Sequence, residues 1–295
     1  MKNYFEIEGD GGSNVVGQVE AQHEAIGGAL SEVRNLLAIG SGKGGVGKST
    51  LTMALAQALT RDGARVAILD ADFNGPCQAQ FAGLEGRPWV PGPKGLTLPR
   101  RADGLGVLSM GSVFANLQPV SFESVSEKDE HVWRSTREFA VLGQLLAATD
   151  WGPLDYLLFD LPPGAERTVQ YADFLPTGTA FVLVTIPSDI SRGVVARSVK
   201  ALAGTGARGL GYVENMAGYY CRDCGEVKAL FPPSPTDLAL PLLGKVPFDP
   251  ELAALCDRGW PERESRSVPA LEAVAKIAAR LRQALDDSPM EGLQQ

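Results

Sequence analysis

Short, unbroken apolar runs recur along this chain and alternate with longer stretches in which apolar residues return every three or four positions. Leu36-Leu37-Ala38-Ile39 is the first such run. Ala64-Arg65-Val66-Ala67-Ile68-Leu69, Leu105-Gly106-Val107-Leu108-Ser109-Met110, Asp155-Tyr156-Leu157-Leu158-Phe159 and Thr179-Ala180-Phe181-Val182-Leu183-Val184-Thr185 follow. Gly209-Leu210-Gly211-Tyr212-Val213-Glu214 and the short Leu243-Gly244-Lys245-Val246-Pro247 complete the set. Runs of this length that lack polar alternation predict strands buried on both faces. Helical spacing predicts helices from about Val16 to Arg34, Leu51 to Leu59, Trp133 to Ala148, Ile190 to Ala203 and Pro269 to Leu285. Strand and helix in alternation predict an α/β fold, with a doubly wound, mostly parallel sheet covered by helices on both faces.

The chain has 295 residues, with no internal repeat and no clear linker, which predicts one principal domain over residues 35–285. Residues 1–34 predict an N-terminal tail and short helix, and residues 286–295 a C-terminal tail. Gly and Pro crowd residues 83–104, the mark of a long surface excursion, and residues 111–130 end in a charged run that predicts a solvated loop. A hydrophobic fraction of 44% supplies a sizeable core. The net charge of −8 argues against general nucleic-acid binding, although backbone amides bind anions whatever the total. No apolar run approaches the length of a membrane span, and the first residues lack a signal-peptide pattern. The expected location is cytoplasmic, with no stable membrane association.

Chemistry concentrates where the predicted strands end. Gly42-Lys43-Gly44-Gly45-Val46-Gly47-Lys48-Ser49-Thr50 lies between the first strand and a helix, the setting a phosphate-binding loop requires. Glycines there let backbone N–H groups turn onto phosphate oxygens, and the helix N-terminus adds positive potential. Lys48 is expected on the β- and γ-phosphates of ATP and the Ser49 hydroxyl on Mg²⁺. Asp160 ends an apolar strand and is expected to hold Mg²⁺ through water. Gly164, four residues on, would offer its N–H to a γ-phosphate. Asp70 and Asp72 follow the second strand: Asp70 is expected in the metal shell and Asp72 to position the attacking water, with capping as the alternative for one of them. Ligands on such sheets bind outside the strand C-termini, and Asp70, Asp160 and Asn215 converge there with the loop. Lys43 is the unusual residue. A second lysine on a glycine-rich loop can reach phosphate across a dimer interface, in the manner of an arginine finger.

Lys43-Gly44-Gly45-Val46-Gly47-Lys48-Ser49-Thr50 resembles the deviant Walker A motif of MinD/ParA-type ATPases, a group of P-loop NTPases of the SIMIBI type in which ATP is sandwiched between two subunits. Asp70-Ala71-Asp72-Phe73-Asn74-Gly75-Pro76, Trp133-Arg134, Asp150-Trp151-Gly152 and Asp160-Leu161-Pro162-Pro163-Gly164 narrow the resemblance to the Mrp branch, the iron–sulfur carrier ATPases. Val213-Glu214-Asn215-Met216, Cys221-Arg222-Asp223-Cys224-Gly225, Val246-Pro247-Phe248-Asp249-Pro250 and Asp257-Arg258-Gly259-Trp260-Pro261 continue it in order, over residues of about 35 to 282. The resemblance implies that Asn215 binds the adenine edge, with Pro247 and Phe248 near the base.

Of the four cysteines, Cys77 and Cys256 read as ordinary small residues, whereas Cys221 and Cys224 form a half-site. A two-fold dimer would supply four sulfurs. The resemblance implies a labile [4Fe–4S] cluster bridging two subunits; a bridging Zn²⁺ and an unused pair are the alternatives. Three departures accompany the match. Leu230-Phe231-Pro232-Pro233-Ser234-Pro235 stands where a Gly-rich segment is usual, Ala165-Glu166-Arg167 where Thr-Gly-Asp is usual, and Ser135-Thr136 where Gly-Pro is usual. Residues 1–34 are too few to form the small N-terminal domain of many Mrp proteins, which is therefore not expected here. The expected function is an ATP-binding, slowly ATP-hydrolysing iron–sulfur cluster carrier that acts as a homodimer and delivers to apoproteins. A MinD/ParA-like positioning or regulatory switch without a cluster is the alternative, and a nitrogenase-iron-protein-like electron donor is more distant because its cluster cysteines lie far apart in sequence. The acidic end Asp286-Asp287-Ser288-Pro289 lacks the basic amphipathic character of a membrane-binding helix.

Overall fold

The computed structural model describes residues 15–110, 130–205, 207–232, 238–261 and 268–287. The expected loop at 111–129 lies outside the described residues, as do the side chains of Trp133 and Arg134. The helices are α1 (Val15–Ala29), α2 (Lys48–Arg61), α3 (Gln78–Phe81), α4 (Glu130–Ala148), α5 (Ala165–Phe174), α6 (Asp189–Leu202), α7 (Pro250–Arg258) and α8 (Pro269–Asp286). The strands are β1 (Leu36–Ser41), β2 (Val66–Asp70), β3 (Val90–Gly92), β4 (Gly95–Thr97), β5 (Gly106–Ser109), β6 (Thr149–Asp150), β7 (Tyr156–Asp160), β8 (Ala180–Thr185), β9 (Arg208–Tyr220), β10 (Val227–Lys228) and β11 (Leu242–Phe248).

The main sheet runs β10-β9-β8-β1-β7-β2-β5, with β11 also paired to β9. Its described pairings are parallel except for β10 with β9. The reason the strands read as continuous apolar runs is visible in β1. Leu37 and Ile39 enter the core beneath α2, α7 and α8, while Leu36 and Ala38 enter the opposite core with α1, α4, α5 and α6. Alternate residues point to opposite faces, so a strand covered on both sides must be apolar throughout. Each buried leucine of this kind would cost about 2–5 kcal/mol on truncation to Ala.

Three features depart from the sequence expectation. Residues 83–104 hold a hairpin of β3 and β4, extended by β6 into a small separate sheet. Helix α1 ends at Ala29, and Ile26, Leu30 and Val33 are buried in the same core as Leu142 and Leu146 of α4. The third is β9, expected to stop at Glu214, which continues to Tyr220 because β11 pairs with it from Tyr212 to Tyr219 and β10 returns against Tyr219 and Tyr220. Pairing on its outer edge supplies partners for backbone groups that would otherwise need water. A polar residue in mid-run therefore does not end the strand.

Candidate functional site

The phosphate loop leaves β1 at Ser41 and enters α2 at Lys48. Gly45 and Gly47 have φ of 76° and 77°, a region costly for residues with a Cβ. At Gly47 space is limiting as well, since a Cβ there would lie 2.2 Å from the Asn215 amide nitrogen. Ser41, residues 43–50, Asp72 and Pro163 line a cavity of about 220 Å³. Lys43, Lys48, Ser49 and Asp72 thus share one cavity, although the sequence separates the last from the others.

Lys48, buried, is ion-paired with the fully buried Asp160 and lies 3.0 Å from the Ser49 hydroxyl. Asp160 is held further by Thr52 Oγ1 at 3.1 Å on Oδ1 and by Gln78 Nε2 at 2.8 Å on Oδ2. The register Asp70↔Asp160 across β2 and β7 sets the two carboxylates side by side. Asp70 Oδ2 accepts the amides of Cys77 (2.9 Å) and Gln78 (3.0 Å) and the Ser109 hydroxyl (3.0 Å), while Oδ1 accepts the Asp72 amide at 3.3 Å. Burial, and then the Asp160 charge, push the Asp70 carboxyl up to about 7, against the pull of its hydrogen bonds and of Lys48. Two carboxylates share one lysine here, so the pocket is short of positive charge. A divalent cation at Ser49 would supply it, and the hydroxyl and carboxylate donors suit Mg²⁺.

Asp72, half-buried, accepts the Gly75 amide at 3.2 Å. Gly164 takes a different role from the one expected of it. Its N–H donates to Ser41 O at 2.9 Å, so the segment after Asp160 is tied to the loop's first residue by the very amide that would have faced a phosphate. The signal for Gln78 was missed altogether. It is fully buried, bridges Ser49 O (3.0 Å) and Asp160, and keeps its Oε1 without a protein partner. A buried glutamine eight residues after the end of β2 has no sequence pattern of its own; only the fold brings it there.

Asn215 is buried and donates from Nδ2 to Val46 O at 2.8 Å, so β9 is fastened directly to the phosphate loop. Met216 follows with φ 53°, a left-handed conformation that costs a non-glycine residue about 1 kcal/mol or more. The strand then runs to Tyr220 and turns at Cys221. The Cys221 amide donates to Glu226 O and the Gly225 amide to Cys221 O, both at 2.9 Å, and Gly225 has φ 70°. This tight hairpin exposes Cys224 and half-exposes Cys221. Hydrogen bonds from Cys224 and from the Asp223 amide hold the Cys221 thiol below its ordinary pKa, the condition for a thiolate ligand. Tyr219, Val227, Leu230 and Phe248 leave apolar surface exposed on and near the hairpin. Arg222 reaches back to Glu251 on α7 at 2.8 Å. Pro247 and Phe248 precede that helix on β11, with Phe248 in register with Tyr219. Among the described residues no group of three or more His, Cys, Asp or Glu side chains is arranged to hold a metal.

The other two cysteines lie at the nucleotide end. The Cys77 thiol is pushed up to about 12 by burial and by Asp70 and Asp160, with Ser49 opposing; burial pushes Cys256 up to about 11, against its contact with Thr50 Oγ1 at 3.7 Å. Among the described residues no helix is long and apolar enough to cross a membrane.

Comparison with known proteins agrees with this arrangement. Residues 32–282 match the ParA family profile described as NUBPL iron-transfer P-loop NTPase. The chain is 32% identical over 250 residues to an iron-sulfur cluster carrier protein of Saccharolobus solfataricus, covering 83% of this chain and 81% of that one. It is 36% identical over 240 residues to a Pseudomonas fragi protein of the same description, covering 79% of each. A nucleotide-binding protein of Archaeoglobus fulgidus, solved in complex with ADP, superposes with a TM-score of 0.66 at 30% identity, covering 81% of this chain and 92% of that one. The cell division ATPase MinD of Pyrococcus furiosus shares the fold, with a TM-score of 0.57 at 22% identity over 84% of this chain and 98% of that one.

Proposed function

The chain belongs to the ParA family of NUBPL iron-transfer P-loop NTPases, and from that premise we propose that it is an iron–sulfur cluster carrier whose grip on its cargo is set by ATP binding and hydrolysis. The observation that carries this reading is β9. The strand that holds Asn215, hydrogen-bonded to the phosphate loop, ends at Tyr220 and leads directly into Cys221, the first thiol of the hairpin. The same feature favours a carrier over a positioning switch, which has no use for a thiolate hairpin at the end of its nucleotide-sensing strand.

The loop residues Gly42, Lys43, Gly44, Gly45, Val46, Gly47, Lys48, Ser49 and Thr50 take the phosphates, and Asn215, Pro247 and Phe248 take the base. Ser49, Asp160 and Asp70 would hold Mg²⁺, which would supply charge neutralisation at the phosphates. ATP entry releases Lys48 from part of its bond to Asp160, exchanging one anionic partner for another. Asp72 positions the attacking water. Lys43 of a second copy stabilises the phosphates as charge develops. That copy also brings its own Cys221 and Cys224, so that four thiolates hold a [4Fe–4S] cluster for transfer to apoproteins; the same four sulfurs would suit Zn²⁺. The chain works in the cytoplasm and needs neither nucleic acid nor membrane.

The test is anaerobic cluster reconstitution of the wild type and of the Cys221→Ala/Cys224→Ala variant, with iron, sulfide, zinc and the absorption spectrum measured. The wild type is expected to retain iron and sulfide and the variant to lose both while binding ATP normally. Equal retention in the two would sink the carrier reading, and stoichiometric zinc in a colourless protein would replace the cluster with a structural bridge.

A further inference from the structure

The segment Ala165-Glu166-Arg167, which departs from the usual family pattern, leads into a buried polar cluster that the proposed chemistry leaves unused. Tyr171 on α5 is fully buried, and its phenol lies 3.0 Å from Ala71 O and 2.9 Å from Glu138 Oε1. Arg167, one turn earlier, is ion-paired with that same Glu138 oxygen. Its guanidinium is also 2.8 Å from Gln170 Oε1 and lies over the rings of Phe139 (5.5 Å) and Tyr171 (5.4 Å). Burial, then Glu138, hold the phenol firmly in its protonated form.

A phenol carries one proton, and here two acceptors lie within reach of it. Glu138 as a bare carboxylate would take it, because charged acceptors form the stronger hydrogen bond. Arg167 on the same oxygen weakens that claim and leaves the proton for Ala71. The Ala71 carbonyl belongs to the peptide that continues into Asp72, and the N–H of that peptide donates to Asp70 Oδ1 at 3.3 Å. Ala71 is fully buried, so no water stands in if the phenol turns away. The near end of α5 meets the end of β1, where the phosphate loop begins, through the Gly164 bond to Ser41 and through Thr168, against which a Cβ at Gly40 would press at 3.1 Å. We propose that Tyr171 is a positioning residue for Asp72, and that Arg167 and Glu138 hold it in that role by directing its single proton to the Ala71 carbonyl. This rests on the reading of Asp72 as the group that places the attacking water.

The experiment compares kcat, KM for ATP, affinity for a non-hydrolysable ATP analogue and Tm across Tyr171→Phe, Arg167→Met, Arg167→Met/Glu138→Gln and Asp72→Asn. Tyr171→Phe is expected to lower kcat about tenfold with KM and analogue affinity unchanged, since misplacing a catalytic group acts on the chemical step. Arg167→Met is expected to slow turnover likewise. Adding Glu138→Gln is expected to return kcat to within about twofold of wild type, because a neutral amide no longer draws the proton from Ala71, and this coupling is one that a purely structural role would not produce. The relay is overturned if Arg167→Met and the double variant are equally slow, or if Tyr171→Phe turns over at the wild-type rate while Asp72→Asn is inactive. Should Tyr171→Phe fail to fold, the Arg167 pair, nearer solvent, carries the decision alone. Full turnover by Asp72→Asn would instead overturn the reading of Asp72, and the relay with it.

Discussion

The phosphate-loop end and the cysteine hairpin are joined by one strand, β9, which bonds to the loop through Asn215 and ends just before Cys221, and they are built by opposite means. At the loop end Lys48, Asp70 and Asp160 are buried, close together and held by hydrogen bonds from Thr52, Gln78, Ser109 and two backbone amides. At the hairpin, Cys224 is exposed, and Arg222 joins Glu251 through an ion pair open to solvent. The difference follows from what each end has to hold. Charges withdrawn from water must be paired, and pairing fixes them in place before a nucleotide arrives. In the proposed carrier the thiols have to stay accessible to take up and release cargo, and Cys221 is held below its ordinary pKa by local hydrogen bonds instead of being pushed up by burial.

Lys48→Ala is the largest expected insult to this contrast. It removes the phosphate ligand and leaves Asp160 buried without its cation, so nucleotide affinity should fall by more than about a hundredfold and Tm should drop, since breaking a buried pair costs about 3–5 kcal/mol. Fluorescent-nucleotide binding and thermal unfolding measure both, and near-normal affinity would show that the buried cluster is not what holds ATP. Next in size is Lys43→Ala, which touches the loop but none of its buried pairs. Turnover is expected to fall about tenfold or more while binding stays within about twofold, as for loss of a residue supplied in trans. Full turnover in that variant would remove the link between the loop and a second copy, and with it the route by which two cysteines become four. The smallest effect, and the most direct comparison of the two ends, is thiol reactivity. A thiol whose pKa is lowered is more ionised at a given pH, and one whose pKa is raised is less so. At pH 8, alkylation mapped by mass spectrometry should label Cys221 at least about tenfold faster than Cys77 and Cys256. Equal labelling would mean that burial at the loop end does not set its electrostatics.

Much of this was legible before the fold was known. The phosphate loop, Asp160 at the end of β7 and the Cys221–Cys224 spacing are local signals, because each needs only the neighbouring residues and the strand that delivers them. The partners that complete the pocket were less accessible. Gln78 reaches Asp160 across 82 positions and Asn215 reaches Val46 across 169. Gly164 was expected to turn its amide toward a γ-phosphate, whereas that amide donates to Ser41 O. Which acceptor an N–H finds depends on the three-dimensional approach of two segments, and no spacing rule encodes it.

β9 draws the same line. Its apolar run announced a buried strand, and Asn215 and the cysteines announced chemistry, because periodicity and motif are properties of consecutive residues. That the strand continues past Asn215, passes through a left-handed Met216 and delivers Cys221 to an exposed hairpin was decided by β11, which supplies the missing backbone partners from residues 242–248. Composition and order specified the nucleotide pocket and the cysteine pair as separate parts. Their connection through one continuous strand, from Asn215 to the residue before Cys221, came from long-range pairing, which only the folded chain can satisfy.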